Sequence, residues 1–220
     1  MYTTEELELL NEIKRIYLDR RDQIQIRLNG FRQILKVGND EDIFAELIFC
    51  ILTPQSKAKS CWLDVKNLLN KKLFFKGSPG KIAEEISGAR FKYRKAKYIV
   101  EARKIFSING KISIKSKIKE FNKNDNLREW IVKNVKGIGY KEASHFLRNI
   151  GLGENLAILD RHILKNLKLL GVIEKIPGSL SKKRYFEIEN KMKNFADSIR
   201  IPISHLDLLL WYKETGEIFK

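Results

Sequence analysis

Residues 135–140 read Val-Lys-Gly-Ile-Gly-Tyr, and the chemistry such a stretch supports is the gripping of a phosphate. Gly137 and Gly139 stand two apart, a spacing that permits positive φ angles and lets an anion come close to the main chain. A helical pattern resumes directly after Gly139, so the unpaired N–H groups and positive end of that helix face the same spot. Ile138, between the glycines, is expected to pack inward and tie the two flanking helices together. A hairpin of this kind holds a DNA phosphate without reading base sequence. Overall charge agrees with that partner. The chain carries 43 Lys and Arg against 27 Asp and Glu, a net charge of +16 with pI near 9.7. That excess is too large for a typical metabolic enzyme and points to a polyanion, most simply nucleic acid.

Length and composition set further bounds. With 220 residues and 43% hydrophobic content, the chain can bury a sizeable core in one domain or two small ones. A membrane span is not expected. The most apolar stretch, Ile43 to Leu52, contains Glu46 and falls short of the roughly 18–20 apolar residues needed. The opening Met1-Tyr2-Thr3-Thr4-Glu5-Glu6 is acidic where a secretory signal is basic, so no such signal is expected. Two cysteines, Cys50 and Cys61, are too few for a four-cysteine iron–sulfur or zinc site, and two buried thiols are expected rather than a bridge. No carboxylates and imidazoles show metal-ligand spacing, so no metal site is expected.

The elements that must position the hairpin read as helices. Thr3 and Glu6 form a capping box ahead of Leu9, Ile13 and Ile16, and Asn29-Gly30 is the expected stop of that helix. Phe44, Leu47, Ile48 and Ile51 form the next apolar face, ended by Thr53-Pro54. Ser56 is expected to cap a helix carrying Trp62, Val65 and Leu68, and Pro79-Gly80 opens a short one. Helices are expected over 93–106, 127–134, 160–170, 181–199 and 203–215. Lys111 to Lys115 alternates as a strand would, yet with no partner in view it reads as an extended connection. The basic run Arg90 to Lys97 reads as a solvated helix face that attracts phosphate. The expected fold class is all-α, with roughly ten short helices.

The stretch Val135 to Ala143, continuing to Ala157-Ile-Leu-Asp160-Arg-His162, resembles the helix-hairpin-helix of the DNA glycosylase superfamily. Leu52-Thr-Pro-Gln55, Tyr93-Arg-Lys-Ala-Lys-Tyr98 and the segment His205 to Lys220 extend the likeness to the type-2 8-oxoguanine DNA glycosylase/AP lyases, a largely archaeal group. One departure is Lys136, where many superfamily members carry proline. The resemblance implies two helical subdomains with a cleft between them, one over 31–150 and the other combining 1–30 with 151–220. It implies Lys141 and Asp160 as the catalytic pair, 19 residues apart. It also implies DNA contacts from Gly137, Gly139 and His162, and a Gln55 side chain that fills the gap left by a flipped base. Base recognition falls to Lys220, with Trp211 and Phe219 as candidates to stack on the purine. No cofactor is implied, although hairpin carbonyls suit a monovalent cation, and the iron–sulfur cluster of other superfamily members is absent.

A base inside a duplex must be flipped out before its glycosidic bond can be cut. In the implied reaction the Lys141 amine attacks the sugar C1′, the base departs, and an imine forms. A free lysine is only about 0.04% neutral at pH 7, and this chemistry needs the neutral amine. Asp160 reads independently as the N-cap of the helix that follows, a role compatible with steadying the cationic sugar. His145 and His205 are expected to be structural. The expected partner is double-stranded DNA containing 8-oxoguanine, met by a monomer in the cytoplasm of a prokaryote. Two other readings remain open here: an endonuclease-III-like lyase for oxidised pyrimidines, and a non-catalytic hairpin module that only binds DNA.

Overall fold

Helix α1 (Thr4–Val37) begins as expected, in the computed structural model of the chain, which describes residues 3–220. Thr3 N–H donates to Glu6 at 2.8 Å and Glu6 N–H donates to the Thr3 hydroxyl at 3.2 Å. It does not stop at Asn29-Gly30. Leu28 and Phe31 both lie on its buried face, and burying such side chains is worth about 1.5–3 kcal/mol each. A glycine inside a helix costs roughly 0.5–1 kcal/mol, so packing overrides the stop signal. The described residues form two compact units, one of residues up to Phe31 with Gly153–Lys220, the other Arg32–Leu152. The divisions fall one and two residues later than the sequence suggested. Gly151 stays with the second unit because it packs on the Arg32 backbone, where a Cβ would lie 2.6 Å from the Arg32 Cα.

The unit Arg32–Leu152 is built around α2 (Asp40–Leu52), with every residue from Ile43 to Leu52 buried. It packs against α3 (Ala58–Asn70), α6 (Lys92–Ile105), α7 (Ile114–Lys119) and α9 (Tyr140–Asn149). The buried carboxylate of α2, Glu46, accepts from the Asn149 amide at 2.9 Å, which offsets part of the cost of enclosing it. Shorter helices α4 (Leu73–Lys76) and α5 (Pro79–Glu85) precede α6, and α8 (Asn124–Asn134) leads into the hairpin. The Lys111 segment has a partner after all. Residues Lys111–Ile112 (β2) pair antiparallel with Ser107–Ile108 (β1), Ser107 opposite Ile112. The turn between them is Asn109-Gly110, both at positive φ (50° and 76°), the dipeptide that favours such tight turns.

The unit containing Gly153–Lys220 joins the first part of α1 to α10 (Arg161–Leu169), α11 (Lys182–Ser198) and α12 (Ile203–Thr215). All three later helices start within two residues of where the apolar spacing placed them. Between Leu156 and Leu159 the chain is buried and belongs to no helix or strand, and α11 holds it there. The Tyr185 hydroxyl donates to the Ala157 carbonyl at 2.6 Å, and the Ala157 N–H donates to Glu189 at 3.2 Å. This delivers Asp160 to the start of α10 at a fixed register. His205 packs as a structural residue, 3.2 Å from the Tyr17 hydroxyl. No helix among the described residues is long and apolar enough to cross a membrane.

Candidate active site

Two cross-ties join α8 to α9 across the hairpin, and one of their members, Arg128, is held in turn within α8 by Asp125. The Tyr140 hydroxyl donates to Glu129 at 2.9 Å, and the fully buried Arg128 reaches the Ser144 hydroxyl at 3.2 Å and Asp125 at 2.9 Å. Ile138 is buried between the glycines, as its position predicts. The two glycines differ in what they do. Gly137 takes the positive φ (82°), and a Cβ there would lie 2.5 Å from the Tyr98 ring, so only glycine fits against α6. Gly139 has an extended backbone (φ −98°, ψ −171°) and is the N-cap of α9, so of the two glycines only Gly137 uses the positive φ that the spacing permits. Its N–H donates to the Glu142 carboxylate at 3.1 Å. Lys136 pairs with Glu101 of α6 at 3.0 Å, an exposed ion pair that adds little rigidity to the turn.

Lys141 is the second residue of α9, its side chain 26% exposed, and its amine lies 3.1 Å from the other oxygen of Glu142. One carboxylate thus joins the cap of the hairpin helix to the candidate nucleophile. The sequence reading passed over Glu142, although an acid three residues after an N-cap is a recognisable signal. Beneath this helix Cys50 is wholly buried and its thiol is pushed far up, mainly by burial. Cys61 is likewise buried, and burial raises its thiol to about 11. Neither competes as a nucleophile. His145 is buried edge-on to Phe49, 5.5 Å between ring centres.

Gln55 is exposed, at positive φ (57°), in the turn after α2. The expected Ser56 cap is not made: α3 starts at Ala58, and the Ser56 hydroxyl instead accepts from the Arg90 N–H at 2.9 Å and from Lys95 at 3.1 Å. Lys95 also corrects the reading of 90–97 as a solvated face, since only 5% of it is exposed.

In the other unit Asp160 is the N-cap of α10. Its Oδ1 accepts from the His162 N–H at 2.8 Å and the Ile163 N–H at 2.9 Å, while Oδ2 carries no hydrogen bond among the described residues. A carboxylate fixed by one oxygen with the other open is pre-aimed for electrostatic work. The His162 ring stands edge-on to Trp211, 5.2 Å between centres, with Nδ1 3.6 Å from Glu214. Glu214, another residue the sequence reading missed, also accepts from Lys165 at 2.9 Å and Asn166 at 3.0 Å. Those bonds, Lys165 first, hold its carboxyl below the usual range. Lys220 is buried, and Phe219 is held through its carbonyl by the Arg27 guanidinium, which also lies 6.0 Å from the Phe219 ring centre. Within this unit His162 and Trp211 meet directly, and Phe219 and Lys220 are adjacent in a restrained tail. Among the described residues no group of three or more His, Cys, Asp or Glu is placed to hold a metal ion.

Residues 24–201 match the family model described as 8-oxoguanine DNA glycosylase. The chain belongs to that family. A member from Fusobacterium nucleatum, named 8-oxoguanine DNA glycosylase/AP lyase, is 48% identical over 213 residues, covering 97% of this chain and 98% of its relative. The fold agrees as well. The crystal structure of the Thermotoga maritima 8-oxoguanine DNA glycosylase matches with a TM-score of 0.86 at 37% identity, over 98% of this chain and 100% of that one. The Methanocaldococcus jannaschii 8-oxoguanine glycosylase/lyase, solved in complex with a 15mer DNA containing 8-oxoguanine, matches with a TM-score of 0.87 at 36% identity. That match covers 97% of this chain and 100% of that one. Family members come from bacteria and archaea alike, so the family is broader than the archaeal grouping implied by the sequence.

Proposed function

We propose that the chain is a bifunctional DNA repair enzyme that flips 8-oxoguanine out of double-stranded DNA, excises it through Lys141 and then cuts the strand. The hairpin holds a phosphate at the turn 137–139, and Gln55 fills the space the lesion leaves. Lys220, Trp211 and Phe219 recognise the extruded purine, and His162 contacts the backbone from the first turn of α10. The Lys141 Nζ attacks C1′, the C1′–N9 bond breaks with its electron pair on the base, and the proton that the amine gives up passes by way of Glu142 to the departing base. Glu142, 3.1 Å from the amine, is the nearest acceptor for the proton that the attack releases. Asp160 stabilises the positive charge that develops on the sugar. Opening of the ring gives an imine between Nζ and C1′. Loss of a C2′ proton then expels the 3′ phosphate by β-elimination, and water hydrolyses the imine to free the lysine.

The observation that carries this reading is the amine of Lys141, fixed at the start of the hairpin helix with a carboxylate in contact. Borohydride tests it, because reduction of the imine leaves a permanent protein–DNA adduct. Wild-type protein is expected to be trapped on an 8-oxoguanine duplex and Lys141→Gln is not. Trapping by Lys141→Gln at the wild-type level, or trapping of the wild type on oxidised pyrimidines in preference to 8-oxoguanine, would sink the assignment. The neutral carbonyls of Val135 to Tyr140 are donors suited to a monovalent cation, which would add positive charge beside the gripped phosphate. Replacing potassium with a large organic cation at constant ionic strength is then expected to weaken DNA binding. The reading is completed by a monomer acting on chromosomal DNA in a prokaryotic cytoplasm, which sedimentation with and without a lesion duplex would test.

A further inference from the structure

Lys95 is a cation the excision chemistry does not use. It lies on α6 with 5% of its surface exposed, and its ammonium donates three hydrogen bonds. They go to the Leu52 carbonyl at 2.7 Å, the Pro54 carbonyl at 2.7 Å and the Ser56 hydroxyl at 3.1 Å. Three N–H groups meet three neutral oxygens, so nothing is left over to attack a substrate. Burial draws this amine below the usual lysine range, the expected consequence of enclosing a charge. An enclosed ammonium is costly, and a surface turn has cheaper ways to close.

What the cost secures is the turn that carries Gln55. Leu52 is the last residue of α2, where a carbonyl without an intrahelical partner attracts a cation; the Cys61 thiol also donates to it, at 3.3 Å. Pro54 and Ser56 are the two neighbours of Gln55, so the ammonium clamps the chain immediately before and immediately after it. Ser56 is held further by its N–H to the Thr53 carbonyl at 2.9 Å and by the Arg90 N–H on its hydroxyl at 2.9 Å. Between these fixed points Gln55 keeps a left-handed backbone that a non-glycine residue does not adopt without support.

We propose that Lys95 is the positioning residue of the gap-filling loop: its buried ammonium pre-forms the turn 53–56 so that Gln55 enters the duplex without first having to be ordered. This rests on the reading of Gln55 as the gap-filling side chain. A loop already ordered loses less freedom when it engages DNA, and base extrusion is the step that gains.

The test compares Lys95→Met, Gln55→Ala and the double variant in single-turnover excision of 8-oxoguanine. Cleavage of a preformed abasic site, with no base to extrude, runs in parallel, and 2-aminopurine beside the lesion reports unstacking. Each single variant is expected to excise about tenfold more slowly, with the double variant within about twofold of the slower single, as for two residues acting as one unit. For Lys95→Met the loss in excision exceeds the loss in abasic-site cleavage at least about fivefold, with a matching loss of 2-aminopurine signal. A purely structural role would lower both activities together and would overturn the inference. Losses that multiply in the double variant would overturn it as well. If Gln55→Ala is impaired and Lys95→Met is not, the inference falls while the gap-filling reading stands. If Gln55→Ala excises normally, that reading falls first and takes the inference with it. Should Lys95→Met fail to fold by circular dichroism, Ser56→Ala carries the test, since it removes one of the three acceptors. Its loss is expected to be smaller and again non-multiplicative with Gln55→Ala, and a multiplicative loss rejects the clamp.

Discussion

Glu142 holds the Lys141 amine with one carboxylate oxygen and the backbone N–H of Gly139 with the other, each at 3.1 Å. The N–H bond restricts where the carboxylate can sit, so the amine's partner is oriented by the same turn that is proposed to grip phosphate. Glu142→Gln retains an oxygen for Gly139 and removes the proton acceptor. It is expected to slow borohydride-trapped adduct formation roughly 10- to 100-fold, at or below the lower end for general base catalysis. Affinity for undamaged duplex is expected to hold or rise, because a negative charge near the phosphate is lost. Adduct formation at the wild-type rate would remove Glu142 from the reaction.

Asp160 separates capping from catalysis in a single pair of variants. Asp160→Asn keeps an amide oxygen for the His162 and Ile163 N–H groups, so its melting temperature is expected to stay within a few degrees of wild type. Excision is expected to fall about 10²- to 10³-fold through loss of the negative charge. Asp160→Ala also loses the cap, at about 1 kcal/mol, seen as a further drop of roughly 2–4 °C. Thermal melts and single-turnover rates on the same preparations decide it. Excision by Asp160→Asn at a near-wild-type rate would leave Asp160 as a cap alone.

These two residues also mark how far the sequence could be read. Asp160, the hairpin glycines and most helix starts were legible because each depends on local chemistry: a cap, a turn, an apolar spacing. Gly30 misled because its local signal was outweighed by the burial of Leu28 and Phe31, which only the packed structure reveals. The strand at Lys111 lacked a partner only while Asn109-Gly110 went unnoticed as a turn. Lys95 and Ser56 were misread for a deeper reason. Their bonds cross 39 residues of chain, and no periodicity in the sequence marks one lysine of a basic run as the buried one. Glu214 and Arg27 belong to the same class, being defined by distant partners.

Glu214 gives the fold a defined acid sensitivity. Its carboxyl is held below the usual range, chiefly by the Lys165 hydrogen bond, so its folded-state pKa lies under the unfolded one. Such a group stabilises fully above the unfolded value, and the contribution disappears as pH falls through the folded value. Wild-type protein is therefore expected to lose more thermal stability than Glu214→Gln between about pH 5 and pH 3, with the two curves converging at the acid end. Parallel curves would show that the carboxylate contributes nothing through its charge.

Arg27 ties α1 to the C-terminal tail. Its guanidinium donates to the Phe219 carbonyl and lies 4.9 Å from the Phe31 ring centre and 6.0 Å from that of Phe219. The anchor is both a charge-assisted hydrogen bond and a stacked plane, and lysine reproduces only the charge. If Phe219 and Lys220 recognise the lesion, freeing the tail should damage base selection more than strand cleavage. Arg27→Ala is expected to lower kcat/KM for 8-oxoguanine excision about tenfold, or roughly 1.4 kcal/mol, with a smaller loss at preformed abasic sites. Arg27→Lys is expected to recover only part of the loss. The comparison is made on duplexes that differ only in lesion against abasic site. Equal losses on the two substrates would mean that the tail supports the fold and has no part in choosing the base.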